Sequence, residues 1–319
     1  MTTPKASSAA TCGKPPAPTR REPLPNWRWL DVWKRVRETL GALPVHFRSD
    51  THIEGIGATD IFTLSAALGA AIENQVVDTL NQLRSVWDPD DEHPTLSFIR
   101  QPQSFPDVLL VDATLPASAA DRIVFGIELK GWYLLAKEGE PSFRFLQTPA
   151  ACAVADFIVV VPWCLGNVIS GRPRVFAPYL ERANYAAEYR NYHWQHIREA
   201  GGNNGIRQPA SASPYPAKSD RSNDEPVDDK GGNFGRFARS GLMDAYLERL
   251  KKQPLCGIEA CYWLDFFKIF QEHSSEERIR GALARLRKKA VVTATGDAGI
   301  RQTAILHILD ELERLVEQN

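Results

Sequence analysis

Apolar residues recur every three or four positions at Trp29, Val32, Trp33, Val36 and Leu40, a spacing that predicts a helix ending near Gly41 and Pro44. The same step returns at Phe62, Leu64, Leu68, Ile72, Val76, Leu80, Leu83 and Trp87. That stripe predicts a long amphipathic helix, with Thr59 or Asp60 to cap it and Pro89 to stop it. The pattern then shortens. TLSFIR (95–100), DVLLVDA (107–113) and RIVFGIELKG (122–131) read as strands, with a Pro, Ala and Ser turn between the last two. PSFRFLQTPAACAVA (141–155) is expected to be a helix, broken or kinked at Pro149. DFIVVVPW (156–163) is almost wholly apolar, the sign of a strand covered on both faces. Helix, three strands, helix, strand is thus the expected order of an α/β core.

Beyond the core, PRVFAPYLERANYAAEYRNYHWQHIREA reads as a strand followed by an aromatic-rich helix. Four further helices are expected in LMDAYLERLKK, IEACYWLDFFKIF, SEERIRGALARLRKK and TAILHILDELERLVEQ. The expected organisation is a disordered tail at 1–25, a core with its N-terminal helix at 26–199, an exposed linker or large loop at 200–232, and a helical region at 233–319.

Composition narrows the picture modestly. Hydrophobic residues make up 43% and charged residues 24% of 319 residues, an ordinary globular balance. The formal net charge of −1 hides basic stretches at 1–40 and 274–290, which are compatible with a nucleic-acid partner. The cysteines Cys12, Cys152, Cys164, Cys256 and Cys261 are odd in number and never spaced C-x-x-C, so a reducing compartment is expected. No apolar run is long enough to cross a bilayer and the start lacks the apolar core of a signal peptide, so the expectation is a cytoplasmic protein with no membrane partner.

Charges inside the strand pattern carry the chemistry. Asp107 begins one strand, while Glu128 and Lys130 close the next and share a face, with Leu129 turned away. If the strands pair as a hairpin, Asp107 comes alongside Glu128 and Lys130. Two adjacent carboxylates repel, and oxygen ligands that include the Leu129 carbonyl suit Mg²⁺, with Mn²⁺ as a substitute. A buried salt bridge is the alternative, though desolvation makes such clusters poor stabilisers.

Pro106-Asp107 followed by Glu128-Leu129-Lys130 resembles the PD-(D/E)xK signature of the restriction-endonuclease-like nucleases, over roughly residues 60–165. The resemblance implies a restriction-endonuclease-like αβββαβ core, a central mixed sheet flanked by helices, with added N- and C-terminal helices. It also implies Mg²⁺-dependent hydrolysis of double-stranded DNA, with Asp107 and Glu128 as metal ligands and Lys130 positioning the attacking water. Many members carry an acidic residue on the first helix, and Glu73, one turn after Gly69, matches it. Gln147 falls where some members place a polar residue, but Ala151 stands where the companion tyrosine is usual.

A restriction endonuclease acting on foreign DNA is the expected role, with a homodimer and a cognate methyltransferase among the partners this implies. A repair or other defence nuclease, and a non-catalytic DNA-binding protein that retains the fold, are the alternatives. Arg236 and Arg239 in GGNFGRFARSG, with Arg278 and Arg285 on a helix, are candidate DNA contacts. His193 and His196 pair on a helical face without a third ligand, and no GxxxxGK[ST] or GxGxxG occurs.

Overall fold

A computed structural model describes residues 14–57, 60–101, 103–199, 201–271, 275–292, 306–310 and 313–314. The first helix, α1 (Leu30–Gly41), buries Val32, Trp33, Val36 and Leu40, the residues whose spacing predicts it. A short α2 (Leu43–His46) follows. The long apolar stripe becomes a 3-10 turn, Ile61–Thr63, then α3 (Leu64–Gln82) and α4 (Arg84–Trp87), rather than one helix. Leu83 breaks the run with ψ 20°, and the turned chain lets the Trp87 indole donate to the Leu80 carbonyl at 2.8 Å.

The sheet is mixed and flanked by helices. Its strands are β1 (Leu96–Arg100), β2 (Val108–Asp112), β3 (Ile123–Tyr133), β4 (Phe157–Leu165), β5 (Pro173–Val175) and β6 (Tyr179–Arg182). They run in the order β1-β2-β3-β4-β5, and β6 pairs with the first half of β4 where β5 pairs with its last residues. Only β3 and β4 are parallel. All of β4 is buried, as its unbroken apolar run requires. Between β2 and β3 the register shifts at Leu110/Val111: Leu110 faces Phe125 but Val111 faces Ile123, so Val124 is an extra residue on β3. Helix α3 lies against β3 at a glycine contact, where a Cβ on Gly131 would stand 3.4 Å from the Gly69 carbonyl oxygen.

The segment 141–155 is not the expected helix. It crosses from β3 to β4 as extended chain with one 3-10 turn, Pro149–Ala151, and isolated bridges from Arg144 to Arg236 and from Gln147 to Asn223. Pro149 has no N–H to give and holds Thr148 extended at ψ 147°, which ends any helix there. The expected αβββαβ order therefore lacks its second helix, and Gln147 sits on extended chain.

Helix α5 (Ala183–Tyr192) continues into a π-helical turn, His193–Ile197. The long loop at 201–232 is anchored rather than free. A short ladder joins β7 (Ile206–Arg207) to β8 (Glu225–Pro226), and Asp224 is buried against Arg190 at 2.5 Å. Helices α6 (Asp244–Lys251), α7 (Ala260–Gln271) and α8 (Glu276–Val292) follow, with a small hairpin of β9 (Pro254–Leu255) and β10 (Ile258–Glu259) between α6 and α7. Residues 306–310 and 313–314 of the last expected helix are helical.

The expected tail is also corrected in part. Residues 14–25 run along the core, where Arg20 forks onto Glu181 at 2.7 Å, Arg21 pairs with Glu188 and Glu22 with Arg182. Charges supplied by β6 and α5 hold a segment whose own composition could not. Residues 1–13 lie outside the described ones.

Candidate active site at the open end of β3

The site follows from unequal strand lengths. Val108 opposite Ile127 is the last β2–β3 pair, and β3 continues to Tyr133 beyond it. Past that point the β2 side of β3 has backbone groups and, among the described residues, no strand to pair with. Carboxylates take the role: Asp107 Oδ2 accepts the Leu129 N–H at 3.2 Å, and Glu73 Oε1 accepts the Gly131 N–H at 3.0 Å. A residue's N–H and C=O point the same way in a strand, so the Leu129 carbonyl opens onto that edge too.

Strand alternation puts Glu128 and Lys130 together, as expected. The Lys130 ammonium lies 3.0 Å from Asp107 Oδ2 and 2.9 Å from Glu128 Oε1. The Asp107 N–H donates to Glu128 Oε2 at 3.3 Å. Asp107, Glu128 and Lys130 thus form one bonded cluster across two strands. Glu73 reaches the cluster's edge from α3 by way of the Gly131 N–H, next after Lys130 on β3.

Burial sets the electrostatics. Glu128 is 8% exposed, and its pKa is pushed up to about 7 by that burial first and by Asp107 second, against the pull of Lys130. Burial also raises Glu73, partly offset by the Gly131 N–H and by Lys130. For Lys130, burial works against the charge, but Glu128 and Asp107 outweigh it and raise the pKa. Three carboxylates therefore share one lysine, with Arg100 only at the margin, 3.9 Å from Glu73.

Among the described residues, no three His, Cys, Asp or Glu side chains stand close enough to hold a metal ion by themselves. Asp107 and Glu128 with the Leu129 carbonyl make a smaller set, all hard oxygens. That chemistry fits a cation such as Mg²⁺, which takes one or two carboxylates and keeps several waters.

The candidate DNA contacts are not brought together. Arg236 and Arg239, beside and on a 3-10 turn, both pair with Glu140, at 3.3 and 2.8 Å. Arg278 and Arg285 lie exposed on α8, which packs on α7. Arg100 is the neighbour that the sequence pattern missed. It pairs with Val108 in the β1–β2 register, so it arrives beside Asp107, and counting the first hairpin back from Asp107 would have found it.

A fourth carboxylate, bonded to β3 two residues before Glu128, is also not marked by the sequence pattern. Asp156 is fully buried and accepts the Gly126 N–H at 2.7 Å, the Ala153 N–H at 2.7 Å and the Tyr215 hydroxyl at 3.0 Å. Gly126 is needed there, because a Cβ would stand 2.1 Å from Pro106 Cγ.

No helix among the described residues is long and apolar enough to cross a membrane. Comparisons with models of protein families, with curated proteins and with solved structures each give no match.

Proposed function

We propose that this chain is a Mg²⁺-dependent endonuclease of double-stranded DNA with a restriction-endonuclease-like core, acting on foreign DNA. The observation that carries the reading is the bonded cluster of Asp107, Glu128 and Lys130 at the open end of β3. Asp107, Glu128 and the Leu129 carbonyl would hold Mg²⁺, which supplies Lewis acidity toward a phosphoryl oxygen and acidifies a water. Lys130 offers three N–H donors beside both carboxylates. It orients a water against the phosphate and balances the charge that develops on the phosphoryl oxygens. Asp107 and Glu73 fix the backbone of β3 at Leu129 and Gly131, so the strand that presents Glu128 and Lys130 cannot drift.

One observation favours a second reading. The charges already satisfy one another and cap a strand edge, which a DNA-binding protein without catalysis would also need.

Cleavage separates the two. Supercoiled plasmid and unmethylated phage DNA are incubated with the purified protein, in Mg²⁺ or in EDTA. Cutting should require Mg²⁺, and Asp107→Ala or Lys130→Ala should abolish it. Glu73→Ala, which removes the acceptor for the Gly131 N–H, should lower it by about 10–100-fold, the usual cost of losing a group that orients a metal-binding strand. Discrete fragments fit restriction, whereas nicking or smearing moves the role to repair. DNA binding without cutting, unchanged by Asp107→Ala, would sink the nuclease reading.

A further inference from the structure

Many of the arginines among the described residues already meet a carboxylate. Arg20, Arg182, Arg190 and Arg236 each meet a carboxylate. Arg48, Arg172 and Arg174 do not. They line a cleft of about 540 Å³ whose lining includes Phe47, Phe176 and Leu250 but no Asp or Glu. All three arginines are exposed. Arg48 donates to the Val45 and Phe47 carbonyls at 2.9 and 2.8 Å, and Arg172 to the Ser49 carbonyl at 3.1 Å. Those bonds aim two guanidinium groups without neutralising them. Among the described residues none of the three has a carboxylate partner.

The sheet register relates this cleft to the candidate active site. Lys130 pairs with Val160, and Arg174 pairs with Cys164. Paired residues share a face, and Val160 and Cys164 are an even number of positions apart on β4, so Arg174 projects to the same face as Lys130. Arg172 stands just before β5 and lines the same cleft. From Lys130 to Arg174 is about 13 Å along the strands and about 10 Å across them, roughly 16 Å in all. One DNA strand carries a phosphate each 3.4 Å or so along the axis, so this is a reach of roughly five phosphates.

We infer that Arg48, Arg172 and Arg174 form the phosphate-binding cleft that holds the backbone of duplex DNA away from the cutting site. The inference rests on the nuclease reading above. Three unpaired guanidinium groups match phosphodiesters in charge and in fork geometry, and their separation from Asp107 lets them grip without disturbing the chemistry. Arg236 and Arg239 are poorer candidates because Glu140 already occupies them.

The test measures binding of a short labelled duplex by fluorescence anisotropy across a salt series. The full chain carries Asp107→Ala to prevent cutting, and a second protein adds Arg48→Gln, Arg172→Gln and Arg174→Gln. Losing three phosphate contacts should flatten the slope of log K against log salt by about 2.7. Between 50 and 200 mM salt the parent should therefore lose about 40-fold more affinity than the triple variant. The corresponding triple lysine variant should keep the slope. If the glutamine triple fails to melt cooperatively, Arg174→Gln alone should flatten the slope by about 0.9.

An unchanged slope in a folded variant, while the wild-type chain still cuts DNA, overturns the cleft and leaves the nuclease. Tighter binding of an RNA duplex, with the same arginine dependence, overturns the assignment to DNA. A wild-type chain that does not cut, together with a parent that does not bind duplex DNA, overturns the nuclease reading and the cleft with it.

Discussion

Asp156 gives a pH dependence whose sign and size follow from its surroundings. It is completely buried, and burial raises its pKa from the ordinary 3.8 to about 6 even though two backbone N–H groups and the Tyr215 hydroxyl favour the charged form. Between those values the native protein keeps a proton that the unfolded chain has released. Stability must then fall as pH rises, by about 1.4 kcal/mol per unit, and level off above the folded pKa. A shift of this size corresponds to about 3 kcal/mol in total.

Asp156→Asn isolates the effect, because it cannot ionise and its altered hydrogen bonding costs the same at every pH. Urea unfolding of both proteins should be followed from about pH 4 to about pH 7. Relative to the variant, the wild type should lose about 2 kcal/mol over that range, nearly all of it below about pH 6.5. A stability difference that stays flat, or that grows with pH in favour of the wild type, would refute the reasoning.

Two further perturbations probe how the surrounding chain is held. Asp224→Ala strands Arg190 in a site where the two side chains are 0% and 3% exposed. It should cost about 3–5 kcal/mol in urea unfolding. Limited proteolysis should then cut within 201–232 before the rest of the chain, and equal resistance in both proteins would count against the anchoring role. Gly126→Ala forces a methyl to 2.1 Å from Pro106 Cγ. Thermal melting should show a loss of about 1–3 kcal/mol, and an unchanged melt would mean that Pro106 moves aside freely.

What the sequence revealed depended on how local the cause was. The apolar runs of β2, β3 and β4 are short-range patterns, and their strands lie within two residues of the expected ends. The meeting of Asp107 with Glu128 and Lys130 was legible for the same reason: hairpin pairing and side-chain alternation suffice. The segment 141–155 differs from its expected helix because Pro149 ends any helix at Thr148 rather than merely kinking it. Composition alone marks the tail and the long loop as unstructured chain and is silent on what anchors them. What orders them is remote, Glu181 for Arg20 and Arg190 for Asp224, and no local pattern reports such partners. Glu140 is likewise invisible from the loop that carries Arg236 and Arg239.

The extra residue at Val124 has a consequence for how this protein can change. Between it and the charged cluster, the pairs Leu110–Phe125, Leu109–Gly126 and Val108–Ile127 form an uninterrupted ladder that sets Asp107 against Glu128. A slip of one residue within that ladder would turn Glu128 and Lys130 to the opposite face. On the far side of the bulge, the turn from 113 to 122 is already out of step with the ladder. Residues gained or lost there can be absorbed where the strands have uncoupled, so the tip of the hairpin is free to diverge while the spacing of the charged groups is inherited intact.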